Sequence, residues 1–249
     1  MHPTSTASNP LFDRDFLLAT MMGPNCVRFA EELTANIPLS PNMRVLDLGC
    51  GMGLSSIYLA RTFGVRVFAV DLWINPSDNF ARFRDFGLED AIIPLRAEGH
   101  ALPFAEGYFD AVICIDAYHS FGCAPEYLDA HIAPLVKPGG FIAAAIPGLR
   151  QEFTGDIPDE LRPYWKEDIN FHSAGWWAEL WKQSTRAALR DAFSLRSHKA
   201  AWEDWLQCDN PYAQRDADMM EKAGWRYFDS IGIIATVSPA ACSEPYLLL

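Results

Sequence analysis

The stretch Arg44–Trp73, RVLDLGCGMGLSSIYLARTFGVRVFAVDLW, decides how the rest of the chain folds. It opens on a short apolar run, Val45-Leu46-Asp47-Leu48, and passes into three glycines at alternate positions, Gly49, Gly51 and Gly53. A segment of helical character follows, and a second β-branched and apolar run, Val65–Val70, closes on Asp71. Strand, glycine loop, helix, strand and terminal acid is the order of a nucleotide-binding βαβ unit. Glycine lets the loop backbone turn sharply and come close to a ligand. A carboxylate at the tip of the second strand can accept hydrogen bonds from both hydroxyls of a ribose.

The spacing within the loop narrows the ligand. A dinucleotide loop reads G-x-G-x-x-G and seats a pyrophosphate on the helix N-terminus. This one reads D-x-G-x-G-x-G, with Asp47 two residues before the first glycine. A carboxylate there repels a pyrophosphate and pairs with an ammonium group, which favours a nucleoside with a cationic amino-acid tail, S-adenosylmethionine. A nicotinamide or flavin site, or a Rossmann unit that binds nothing, is the alternative. The stretch resembles motif I and the following acidic motif of the class I S-adenosylmethionine-dependent methyltransferases.

Three later segments extend the resemblance in the same order. Ala97–Phe104, AEGHALPF, stands where the family usually has GDAxxLPF, with Glu98 in place of the acid that binds the adenine amino group. Phe109–Ile115 reads as a buried parallel strand ending at Asp116. Tyr127–Gly148 reads as a helix, the turn Lys137-Pro138-Gly139-Gly140 and a fifth strand, where PGG is frequent in the family. The resemblance covers about Val45 to Ile146. With MMGPN (Met21–Asn25), IDAYHSFG and FHSAGWW added, the chain also resembles a group of bacterial small-molecule methyltransferases whose substrate is not settled.

The resemblance implies a set of roles. Asp47 would hold the methionine ammonium, directly or through water. Gly49, Gly51 and Gly53 would let the loop approach the cofactor, and Asp71 would take the ribose hydroxyls. Leu72 or Trp73 would pack on the adenine, Glu98 and Gly99 would read its edge, and Asp116 would face the methionyl part. The expected product is S-adenosylhomocysteine.

Composition bounds the partners. The chain has 249 residues, half of them hydrophobic, and a formal charge of −12 from 20 Lys+Arg against 32 Asp+Glu. Without a basic block it lacks the electrostatic footprint of a nucleic-acid binder, and an anionic membrane surface is an equally poor partner. Six cysteines show no CxxC or Cys/His zinc spacing, so no metal is expected and the thiols read as reduced. There is no signal-peptide pattern and no apolar run of membrane-spanning length. A cytoplasmic monomer or homodimer acting on a small molecule is the expectation.

The fold class is α/β: a Rossmann-like, doubly wound, mostly parallel seven-stranded sheet whose last strand is antiparallel. The expected division is an N-terminal helical lid over 1–40, the cofactor-binding core over 41–148, a Trp-rich cap with the final strands over 149–238, and a tail over 239–249. Acceptor-side candidates rest on weaker signals. His119 lies just beyond the fourth strand, at the sheet end where ligands bind in open α/β folds, and histidine can act as a base near neutral pH. Tyr118 is its neighbour, a wall or a second catalyst. Met22, Asn25, His172, Trp176 and Trp177 are candidates for the substrate pocket. Tryptophan at helical spacing is more often packing than a cation site, although its ring face does attract cations. Methyl transfer to an O or N atom, less readily S or C, is the activity expected. The rival readings are a non-catalytic S-adenosylmethionine sensor and an NAD-dependent oxidoreductase.

Overall fold

The computed structural model describes residues 11–166 and 169–239. The expected partial order of residues 1–10, most of the expected tail and Cys242 fall outside that range.

Seven strands form one sheet in the order β3-β2-β1-β4-β5-β7-β6. Strands β1 (Arg44–Leu48), β2 (Arg66–Asp71), β3 (Ile92–Arg96), β4 (Phe109–Ile115) and β5 (Val136–Leu149) run parallel. The last strand, β7 (Phe228–Val237), inserts antiparallel between β5 and β6 (Ala187–Ser194). The parallel strands read as near-continuous apolar runs because both their faces are covered. Alternate residues of one strand enter opposite cores, as a two-residue side-chain period requires. Val45, Val67 and Ile113 point into the layer that holds helices α2 (Cys26–Thr34) and α3 (Leu54–Phe63). Leu46, Phe68 and Val112 point into the layer that holds α5 (Ala174–Trp181).

Local chemistry sets the helix ends. Asp13 caps α1 (Arg14–Thr20) by accepting from the Phe16 amide at 2.8 Å, and Asn25 caps α2 through the Val27 amide at 3.1 Å. Asn75 caps α4 (Pro76–Asp85), with Pro76 in the first turn where its missing N–H costs nothing. The segment Asn75–Asp90 reads as helical with Gly87 as its natural stop, and the helix does end at Asp85, ahead of Gly87, which turns the chain with φ of +64°.

Two elements differ from the sequence reading. The segment after Tyr127 is not a regular helix: Leu128–Ile132 is wound wide and Ala133–Leu135 tight. Pro134 cannot donate to a helical ladder, which breaks the regular winding. The Lys137–Gly140 turn is absorbed into β5, where the β4–β5 register shifts between Phe109 and Ala111.

Four further contacts bring the N-terminal segment and the C-terminal helices α6 (His198–Trp205) and α7 (Pro211–Met219) to the carboxyl end of the sheet. The Asp204 carboxylate on α6 accepts from Asn25 Nδ2 at 2.7 Å and pairs with Arg28 Nε at 2.6 Å. The Asn25 amide donates to Ala201 O at 3.0 Å. Trp205 Nε1 of α6 donates to Asp216 Oδ2 of α7 at 2.9 Å. Among the described residues no helix is long and apolar enough to cross a membrane.

Candidate active site

The strand order turns back between β1 and β4, and in open α/β sheets ligands bind beyond the carboxyl ends of the strands at such a point. A cavity of about 670 Å³ lies there, within the range of small-molecule sites. One end is walled by the connections that leave β1, β2 and β3; the other by Thr20–Pro24, the 161–171 segment, α6 and α7.

The first end is ordered around Asp71. Its carboxylate is only 8 % exposed, and it accepts from the Gly51 amide at 2.9 Å through Oδ2 and from the Trp73 and Ile74 amides at 2.8 and 3.0 Å through Oδ1. A carboxylate offers about four lone-pair sites, so Oδ2 retains one for a ligand hydroxyl. Gly49 takes φ of +75°, and a side chain there would collide with the Ala117 methyl. The loop therefore closes against the residue that follows Asp116, which brings the carboxyl ends of β1 and β4 together. Gly51 also lines the cavity, beside Met22. Leu72 and Trp73 line the mouth and are 44 % and 76 % exposed, an apolar surface open to a ring.

Glu98 and Gly99 line the same wall, but Glu98 is engaged locally. Its oxygens accept from the His100 amide at 2.9 Å and meet His100 Nδ1 at 2.7 Å, and these bonds to His100 hold the carboxyl below its usual range. Gly99 O accepts from Tyr127 Oη at 2.9 Å.

Asp47 and Gly53 do not reach the wall. Asp47 is fully buried behind the loop, where Oδ2 accepts from Ser55 and Ser56 Oγ at 2.7 and 2.6 Å. Burial, opposed by those serines and helped by the nearby Asp71 charge, pushes its pKa up to about 6. Its Oδ1 has no donor among the described residues. Direct contact with a ligand, one of the two forms expected from sequence, does not fit this position. Gly53 is the left-handed residue before α3, and a side chain there would strike the Phe83 ring, so it serves helix–sheet packing.

At the opposite end, Asp116 lines the cavity from the tip of β4 in a left-handed conformation, φ +57°. Its amide donates to Ala145 O at 2.8 Å, while its carboxylate has no hydrogen-bond partner among the described residues. Burial, then the charge of Asp216, raises its pKa to about 7. His119 lines the cavity beside Phe171, with ring centroids 5.8 Å apart. Burial lowers the His119 pKa to about 4, so the imidazole is neutral near pH 7, and its Nδ1 is buried without a partner among the described residues. Met22 lines the cavity as well.

Five sequence candidates sit elsewhere. Tyr118, 2 % exposed, is wedged between Trp177 and Trp181 in the second core, at centroid distances of 5.8 and 5.3 Å. In the turn after β4 its side chain enters that core while His119 faces the cavity, so it does not wall the cavity. Trp177 is fully buried in that same core. Trp176 stacks on His172 at 3.7 Å, and His172 pairs with Glu152 at 3.1 Å, all outside the cavity. Asn25 is spent on capping α2 and holding Asp204. Besides Trp73 at the mouth, the tryptophans that line the cavity are Trp165 and Trp202. Sequence reasoning also missed Tyr164, Phe171, Asp216 and Met219. They belong to no motif; the one available signal was the position of Asp216 on the face of α7 shared with Ala213, three residues earlier, which is buried.

Comparisons with known proteins bear on this arrangement. Residues 46–144 match the family described as a methyltransferase domain. The chain is 30 % identical to the methyltransferase GfsG of Streptomyces halstedii over 47 % of its own length and 42 % of the relative's. It is 29 % identical to the glycine/sarcosine/dimethylglycine N-methyltransferase of Actinopolyspora halophila over 54 % of its length and 24 % of the relative's. The match thus spans less than half of either relative. Among solved structures, geranyl diphosphate C-methyltransferase from Streptomyces coelicolor A3(2), in complex with S-adenosylhomocysteine, superposes with a TM-score of 0.68 over 84 % of this chain and 79 % of that one, at 18 % identity. By strand order, by the glycine loop with Asp71 at the end of β2 and by the match over 46–144, residues 46–144 of the chain form a methyltransferase domain with the class I fold.

Proposed function

We propose that this chain transfers a methyl group from S-adenosylmethionine to an O or N atom of a small molecule held in the cavity. The observation that carries this reading is that one continuous cavity joins the family's donor wall to a separate wall of aromatic and ionisable side chains. The donor wall fits the cofactor. Asp71 keeps an acceptor site for a ribose hydroxyl, and Leu72 and Trp73 offer an apolar platform for the base. Asp47 Oδ1 lacks a donor that the cofactor's ammonium could supply through water. Glu98 reads the adenine edge if it trades His100 for the adenine amino group.

When bound, the sulfonium supplies a methyl group already activated for displacement. The chain's own work is then to align and to exclude water, and alignment of this kind lowers a barrier by about 7–11 kcal/mol. The loop over Gly49 and Gly51 fixes one reactant. Met22, Trp165, Phe171 and Trp202 shield the other from solvent. A base is needed only where the acceptor must first lose a proton. His119 and Asp116 belong to the wall that faces the donor loop.

Calorimetry with S-adenosylhomocysteine and with NAD tests the reading. Binding of S-adenosylhomocysteine alone is expected; binding of NAD alone overturns it. Labelled product from methyl-labelled donor incubated with a metabolite extract then separates an enzyme from a sensor, which would bind and turn over nothing.

A further inference from the structure

The acceptor wall contains two carboxylates on separate elements. Asp116 follows β4, and its carboxylate has no hydrogen-bond partner among the described residues. Asp216 faces the same cavity from α7. Trp205 Nε1 fixes one of its oxygens at 2.9 Å; the other has the Arg215 guanidinium 3.9 Å away, at the limit of an ion pair. The cations on this wall, Arg215 and Lys166, are both exposed and belong to its rim. Aromatic rings line the same cavity, among them Tyr164, Trp165, Phe171 and Trp202. Two like charges that repel each other in a partly dry cavity are costly unless something positive comes between them. Aromatic ring faces attract the same kind of charge.

We propose that Asp216, together with Asp116, makes the acceptor pocket selective for a cationic amine, so that nitrogen is the atom methylated. The inference rests on the methyltransferase reading. An ammonium nitrogen has no free electron pair. One N–H bond must break, its proton passing to the Asp116 carboxylate, which becomes the neutral acid, while the nitrogen keeps the bonding pair. The methylated product then carries the positive charge that the sulfonium loses. Asp116 suits this proton better than His119 does, because an imidazole held near pKa 4 is a weak acceptor at neutral pH. Asp216 touches no reacting atom in this scheme; it selects and positions the cation.

The test uses the full chain saturated with S-adenosylhomocysteine and two probes of one shape, phenethylamine and phenethyl alcohol, titrated by calorimetry at neutral pH. The amine is expected to bind about tenfold or more tightly than the alcohol, the scale of a charge-assisted hydrogen bond. Asp216→Asn keeps an oxygen for Trp205 and removes the charge. It is expected to bring the two affinities within about threefold while leaving those for the alcohol and for S-adenosylhomocysteine unchanged, which also reports that the variant is folded. Equal binding of the probes to the wild-type protein, or an amine preference that survives in Asp216→Asn, overturns the proposal. If Asp216→Asn does not fold, the wild-type comparison decides alone. Failure of S-adenosylhomocysteine itself to bind overturns the methyltransferase reading, and this inference with it; loss of the amine preference alone leaves that reading standing.

Discussion

Between Leu48 and His100 the cavity wall is made by the consecutive connections that follow β1, β2 and β3, each leaving the carboxyl end of its own strand. The facing wall draws on Thr20, His119, the 161–171 segment, Trp202, Asp216 and Phe228, which no local pattern links. The first wall is held by backbone: three amides on the Asp71 carboxylate and glycines whose missing side chains let β1 and β4 close. The second is held by side chains bridging distant elements, such as Asp204 to Asn25 and Arg28, or Trp205 to Asp216. A wall fixed by backbone tolerates few substitutions and so keeps one ligand. A wall fixed by interchangeable side chains can be refitted to new acceptors without disturbing the first, which is why one fold serves many substrates.

The sharpest way to break this contrast is Asp71→Ala. It removes a ligand contact and leaves the amides of Gly51, Trp73 and Ile74 without their acceptor, at a cost of roughly 1–3 kcal/mol for each one that water cannot reach. Calorimetry is expected to find no measurable S-adenosylhomocysteine binding. Retention of wild-type affinity would mean that Asp71 only organises the loop.

Next comes a pair of tryptophans. Trp177→Ala opens a cavity in the second core and should cost about 3–5 kcal/mol of stability in denaturant unfolding. Its donor affinity at temperatures where the fold persists should stay unchanged. Trp165→Ala, at a half-buried cavity position, should do the reverse: a modest loss of stability with acceptor binding weakened by about tenfold or more. Equal stability losses in the two would erase the distinction between core and wall.

The same contrast explains what could be seen in the sequence. The D-x-G-x-G-x-G spacing, the acid ending β2 and the apolar runs of the parallel strands are local patterns, and they located β1, β2, β4 and β5. Asp47 shows the limit of such patterns. Its place in the motif is legible, but only the fold shows that Ser55 and Ser56, in the first turn of α3, hold it away from the cavity. Tyr118 and His119 are adjacent, and the chain's turn after β4 sends one into a core and the other into the site. No periodicity reports that turn. Trp176 and Trp177 attracted attention by their number, while Trp165, on a segment with no repeat, lines the cavity. Asp216 became visible only once α7 was placed over the sheet end.

Asp116 and His119 sharpen the contrast through pH. Asp116 has a folded pKa of about 7, above its ordinary value of 3.8. Burial is the main cause and Asp216 the second. The fold therefore favours the protonated form. Its contribution to stability is complete below about pH 4 and is lost as pH rises through about 7. Asp116→Asn should accordingly raise the melting temperature at pH 8, and the gain should vanish near pH 4. Other charges near Asp116 and on the facing wall are Arg215 and Lys166 at the rim; the Cys26 thiol from α2, held at about pKa 12, stays neutral across this range. A melting temperature that is unchanged at both pH values would place Asp116 in contact with a compensating charge.

The smallest effect is expected at His119. If Asp116 takes the acceptor's proton, turnover of an amine rises with pH through about 7, the value to which burial and Asp216 bring that carboxyl. His119→Ala should keep the rising limb in place and lower turnover by less than about tenfold, through lost packing against Phe171 and not through lost proton transfer. A base with a pKa of about 4 would instead give a profile already flat above pH 5. A rate profile that is flat from pH 5 to 8 in the wild-type protein, together with a loss of a hundredfold or more in His119→Ala, would return the base to the histidine. The acceptor wall would then be tuned by burial of one ring, and the pairing of two acids would serve binding alone.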